Sequence, residues 1–113
     1  MNDKINSDKE AELFDHAIAA KKKNKNSQAL QYLEQILDNE PKNAKALNLA
    51  GIIFYEQDRL EKAKDTFATA IKNNSKLLDA QFNYAETLIK MEDYENGIRA
   101  FVKILENHPE NVQ

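Results

Sequence analysis

Residues 44–77 read AKALNLAGIIFYEQDRLEKAKDTFATAIKNNSKL. Leu47, Ala50, Gly51 and Phe54 fall at i, i+3, i+4 and i+7, the spacing that lays one apolar stripe along a helix. Ala63, Phe67, Ala70 and Ile71 fall at i, i+4, i+7 and i+8 and make a second stripe. Between the stripes lies Asp58-Arg59-Leu60-Glu61. Asp58 is expected to cap the second helix, and Glu61 to complete a capping box. The segment therefore predicts a helical hairpin with a short turn.

The same pattern recurs on either side of it. Units starting at Glu10, Ala44 and Leu78 are each 34 residues apart (44 − 10 and 78 − 44). In this register Ala17, Gly51 and Ala85 align, as do Ala29, Ala63 and Gly97. Leu33, Phe67 and Phe101 align as large apolar residues, followed by Ile36, Ala70 and Ile104 and then by Leu37, Ile71 and Leu105. Pro41, Ser75 and Pro109 close the units. A fixed period of this length marks stacked supersecondary units. The two small sets let the helices of a hairpin approach closely. Gly51 and Gly97 are the only glycines, and both occupy those slots. A mid-helix glycine costs roughly 0.5–1 kcal/mol against alanine, so their placement argues for packing.

The periodicity predicts helices over 10–23, 27–39, 44–57, 60–73, 78–91 and 94–107. Pro41 and Pro109 sit just beyond second helices, which proline cannot continue. Asn43 stands where the next helix needs a cap. Residues 1–9 read as a polar lead-in, and 10–113 as one all-α domain with repeats 10–43, 44–77 and 78–111.

Composition narrows the function classes. The chain has 113 residues, with 16 Lys and Arg against 19 Asp and Glu, a net charge of −3. Nucleic-acid binding needs a clustered basic excess, which this balance does not supply. Without cysteine there is no disulfide frame or thiolate metal site. The apolar run around Gly51-Ile52-Ile53-Phe54-Tyr55 is far too short to span a membrane. The opening MNDKINSDK has no apolar signal core, so a cytoplasmic setting is the expectation, either for a whole protein or for an excised domain.

On these repeats the chain resembles the tetratricopeptide repeat proteins. The second unit carries Leu47, Ala50-Gly51, Phe54, Leu60, Ala63, Phe67 and Ala70. The third carries Tyr84-Ala85, Leu88, Asp93-Tyr94, Gly97, Phe101, Ile104 and Pro109. The likeness extends from Glu10 to about Val112. The first unit departs most: His16 replaces an apolar residue beside Ala17, and Asn26 stands where Leu60 and Tyr94 stand later. His16 is read as a partly buried packing residue. The resemblance implies a right-handed superhelical stack of three antiparallel hairpins whose first helices line a concave groove. It also implies a non-enzymatic module that binds a peptide or helix of another protein as an adaptor or scaffold.

The groove-facing slots hold an apolar and aromatic strip, Phe14, Ile18, Ile52, Tyr55, Phe82 and Ile89, flanked by polar residues that include Lys21, Asn48 and Glu86. Large apolar side chains clustered outside a core point to a binding surface, and aromatic ones commonly anchor it. Some family members grip acidic chaperone tails through a carboxylate clamp of Lys, Asn and Arg. The matching slots here hold Phe14, Ile18, Leu49, Asp79 and Asn83, which do not form that clamp.

The last helix ends with Ile98, Val102 and Leu105 on an apolar face that no following unit covers. Terminal repeats normally carry a polar cap. The alternative reading is therefore a self-associating structural unit, a homo-oligomer that docks through this helix. The run Lys21-Lys22-Lys23-Asn24-Lys25 complements the end of the first helix dipole and solvates the turn. His16 and His108 fall in different repeats with no second metal-ligating residue at suitable spacing, and no glycine-rich phosphate loop exists. No catalytic residue, metal or cofactor is expected.

Overall fold

The computed structural model describes residues 4–108. They form α1 (Ser7–Lys22), α2 (Asn26–Asn39), α3 (Ala44–Glu56), α4 (Leu60–Asn73), α5 (Leu78–Lys90) and α6 (Tyr94–Asn107). Three hairpins, α1–α2, α3–α4 and α5–α6, stack in chain order, with α2 packed on α3 and α4 on α5. The stack measures 46 × 27 × 27 Å. Pro109 and the residues after it lie outside the described span.

The small sets do the steric work expected of them. Ala17, Ala29, Ala63 and Ala85 are fully buried, with Leu33, Ile36, Phe67 and Ala70 beside them in the core. A Cβ added at Gly51 would stand 2.5 Å from the Phe67 ring, so this glycine is what lets α4 seat its phenylalanine. α3 is the central helix. Its buried face widens beyond the expected stripe to take in Ala46, Leu49 and Ile53. Leu47 is only half-buried. Burial of one repeat position falls along the stack: Leu37 and Ile71 are half-buried, whereas Leu105 is exposed. The second helices α2 and α4 lean on the next hairpin, and among the described residues no helix follows α6.

Three local expectations are corrected. Asp58 does not cap α4. It adopts a left-handed conformation, φ 62°, in the turn, and α4 begins with no side-chain cap. Its repeat equivalents Asn24 and Glu92 have φ 59° and 66°. In each turn the residue after the left-handed one donates its N–H back to a helix carbonyl: Lys25 to Ala20, Arg59 to Phe54 and Asp93 to Leu88. This closure satisfies helix-end carbonyls and needs one left-handed residue, normally glycine. Glu61, freed from a capping box, pairs with Lys64 at 3.2 Å, and this bond holds the Lys64 ammonium above its ordinary pKa.

The first helix starts three residues before the expected Glu10. Asn6 caps it by accepting from the Lys9 N–H at 2.8 Å. Ahead of the cap, Ile5 packs against the core. Its N–H donates to Asn39 Oδ1, and its carbonyl accepts from Asn39 Nδ2. Part of the polar stretch is thus tied to the end of α2. Asn43 caps α3 as expected, accepting from the Ala46 N–H at 3.0 Å.

His16 is the third correction. Its side chain is half exposed, stacked on Tyr32 with ring centroids 5.3 Å apart and lying 3.6 Å from a Glu12 oxygen. The adjacent Ala17 fills the core position, so His16 is left on the outer flank of the hairpin.

Candidate functional site

The first helices α1, α3 and α5 carry the strip of apolar residues picked out from the repeat register. Phe14, Ile18, Ile52 and Tyr55 are half-buried and packed against the core, each with part of its surface open. Phe82 is 36% exposed, and its ring lies 6.1 Å from that of Phe101 on α6. Ile89 turns toward α6, where its Cδ1 fills the space in front of Gly97.

Polar contacts join successive first helices. Lys21 Nζ donates to Glu56 Oε2 at 3.1 Å, linking α1 to the end of α3. Asn83 Nδ2 donates to Asn48 Oδ1 at 3.0 Å, linking α5 to α3. The Lys90 ammonium sits 4.9 Å from the centre of the Tyr55 ring, a cation–π contact. All three pairs are 35 residues apart, one more than the repeat. Parallel helices of neighbouring units therefore meet with a one-residue stagger.

Next to these links is a cleft of about 230 Å³ lined by Ile52, Tyr55, Glu56, Phe67, Asn83 and Glu86. The structure thus brings Ile52, Tyr55 and Glu86 together, with Asn48 bonded to the lining residue Asn83. Phe14, Ile18 and Lys21 belong to the neighbouring α1 part of the same series. Asn83 enters the sequence reading only as a slot of the clamp that is not formed, and Phe67 not at all as a cleft residue. Asn83 falls one position off the repeat image of Asn48, and the stagger accounts for it. The repeat register assigns Phe67 to the core alone; it is buried, yet its ring still lines the cleft.

Glu56 is neutralised by Lys21, while Glu86 is exposed and in no ion pair among the described residues. The site therefore offers apolar ring and aliphatic surface, two amides and one unpaired carboxylate. That inventory suits holding a peptide. No group of three or more His, Cys, Asp or Glu residues that could hold a metal exists among the described residues. No helix among them is long and apolar enough to cross a membrane.

At the other end of the series, α6 exposes Tyr94, Ile98, Val102 and Leu105, with Ile98 58% and Val102 and Leu105 each 47% exposed. Ile104 is buried and completes the core of the last hairpin.

Several solved structures share this architecture. The first tetratricopeptide domain of Spaghetti (RPAP3), bound to the HSP90 peptide SRMEEVD, is 16% identical, with TM-score 0.86 over 98% of this chain and 88% of that one. The Arabidopsis OM64 tetratricopeptide domain is 16% identical, with TM-score 0.84 over 93% and 87%. YrrB, described as a protein of this type with an unusual peptide-binding site, is 19% identical, with TM-score 0.77 over 88% of this chain and only 51% of that one. No curated protein matches the sequence. A tetratricopeptide repeat profile matches residues 14–77, more than half of the chain, and a second matches 79–111. With three stacked hairpins and profiles that match 14–77 and 79–111, the chain belongs to the tetratricopeptide repeat family.

Proposed function

We propose that the chain is a protein–protein interaction module that holds a peptide or helix of a partner against α1, α3 and α5, in an adaptor or scaffold role. The observation that carries this reading is the cleft beside Ile52, Tyr55 and Glu86, with exposed Phe82 on the same helix as Glu86. Aromatic side chains with part of their surface open are common anchors of binding energy. The Lys21–Glu56 and Asn48–Asn83 links hold the helices in fixed relation, which lowers the ordering cost of binding.

One neighbour binds a chaperone peptide, but the clamp positions here are occupied by Phe14, Ile18, Leu49, Asp79 and Asn83. Leu49 is buried and Asp79 carries a negative charge. We therefore assign this chain a partner of more apolar character, recognised without that clamp. Recovery of partners from source-cell lysate on wild type and on a Tyr55→Ala, Phe82→Ala variant tests the reading. The variant should lose the partner and keep its helicity.

A second reading is favoured by the exposure of Ile98, Val102 and Leu105. The chain would then self-associate through α6 as a unit of a larger assembly. Ile98→Lys with Val102→Lys should abolish a concentration-dependent oligomer in sedimentation. A wild type that stays monomeric at high concentration contradicts this reading.

A further inference from the structure

A hollow of about 350 Å³ opens where α2, α3 and α4 meet, and it shares no lining residue with the cleft at Ile52 and Tyr55. Its walls are Leu30, Leu37 and Leu47, with Ala50 and the Phe54 ring among the other lining residues. The next junction shows what is unusual here. Thirty-four residues on, Lys64, Ile71, Gln81, Tyr84 and Leu88 replace Leu30, Leu37, Leu47, Ala50 and Phe54. That junction holds two separate hollows of about 200 and 310 Å³, both lined by Tyr84. The alanine at position 50 leaves a single apolar slot where the next unit has a tyrosine between two hollows.

Two cations line this slot. The Arg59 guanidinium carbon lies 4.9 Å and the Lys62 ammonium 4.8 Å from the centre of the Phe54 ring. Neither is in an ion pair among the described residues; Arg59 reaches only the Gln57 side-chain oxygen, at 3.5 Å. Glu34 is the single acidic residue in the lining. Arg59 and Lys62 are both exposed beside the Phe54 ring, where an incoming carboxylate can reach them. A slot of a few hundred Å³, mostly apolar with a few convergent polar groups, has the general form of a ligand site.

We propose that this slot is a second docking site, taking an apolar side chain of a partner segment with the carboxylate of an adjacent Asp or Glu set against Arg59 and Lys62. The apolar side chain rests on Leu30, Leu37 and Leu47. The carboxylate meets the two cations in charge-assisted hydrogen bonds.

The test is selection of a random-peptide library on the wild type, with depletion on Ala50→Tyr, which places in the slot the residue the next unit carries there. Leu30→Lys, again the next unit's residue, serves as a second depletion variant should Ala50→Tyr fail to fold. The surviving peptides should share an apolar residue next to Asp or Glu. As synthetic peptides they should lose about tenfold or more in affinity on Ala50→Tyr or Leu30→Lys, a loss of roughly 1.4 kcal/mol. They should weaken several-fold on Arg59→Gln, Lys62→Gln and bind Tyr55→Ala, Phe82→Ala unchanged. Absence of surviving peptides, survivors without an acidic residue, or equal binding to the charge variant overturns the proposal. A wild type that dimerises, and that Ala50→Tyr turns into a monomer, also overturns it, since a second copy then covers the slot. The groove reading stands or falls separately, on Tyr55 and Phe82.

Discussion

Asn83 donates its side-chain N–H to Asn48 Oδ1 at 3.0 Å, fastening α5 to α3 beside the cleft that Ile52 and Tyr55 line. The two residues belong to adjacent repeats but not to the same repeat position: Leu49 occupies the repeat image of Asn83, and Phe82 that of Asn48. An amide pair in partly buried surroundings contributes about 1 kcal/mol net, and single truncations leave one amide unmatched. A double-mutant cycle on Asn48→Ala and Asn83→Ala, followed by urea denaturation, should give a coupling of roughly 0.5–1 kcal/mol. Strict additivity would mean the bond does not hold the helices together.

The two glycines should answer differently to alanine. At Gly51 the new methyl meets three atoms of the Phe67 ring at 2.5–2.9 Å, and that ring is itself fully buried. Overpacking of this kind costs about 1–3 kcal/mol, more than the gain in helix propensity. At Gly97 the nearest atoms are the flexible end of Ile89, which is only half-buried and can turn aside. Gly97→Ala should therefore lie within about 1 kcal/mol of wild type, since propensity offsets the displacement. Thermal denaturation of both variants checks the order.

Asn26 is the misfit of the first repeat. Its Oδ1 is buried with no hydrogen-bond partner among the described residues, and the later repeats place Leu60 and Tyr94 there. A buried acceptor left unpaired costs about 1–3 kcal/mol. Asn26→Leu should raise stability by about that amount, read as a shift in the urea midpoint at unchanged slope. A lower midpoint would show that the amide serves the fold.

How far the sequence could be read follows from which features repeat. The spans of α3 to α6 and the burial of Ala17, Ala29, Ala63 and Ala85 were legible, because the same steric demand recurs in every unit. Features made by a single contact were not. The start of α1 depends on Asn39 reaching back to Ile5, a pairing with no periodic trace. Asp58 resembled a cap because aspartate suits both a cap and a left-handed turn. Only its alignment with Asn24 and Glu92, also at positive φ, separates the two. In the candidate site Ile52, Tyr55 and Glu86 could be picked out by register, whereas the Asn83–Asn48 bond could not, because the helices are staggered by one residue.

Acid should act measurably at one surface pair. A hydrogen bond that the protonated Glu40 carboxyl donates to Glu10, and then repulsion between the two charges, holds the Glu40 carboxyl above its ordinary value of 4.5. A carboxyl with a folded pKa above its unfolded one binds its proton more tightly when folded. Its contribution is therefore full below the ordinary value and is lost as pH rises through the folded one. Glu40→Gln, which keeps a side chain able to donate to Glu10, should melt above wild type at neutral pH. The gap should close as pH falls below 4.5, and added salt should narrow it at neutral pH. A gap that does not change with pH would place the effect elsewhere.

The most direct measurement of the central claim is partner recovery on paired baits, wild type and Tyr55→Ala, Phe82→Ala, from lysate of the source cell. Circular dichroism on both baits establishes that the helices persist. A protein retained by wild type and lost from the variant is the expected result. A partner retained equally by both baits would contradict a role for the α1, α3 and α5 face.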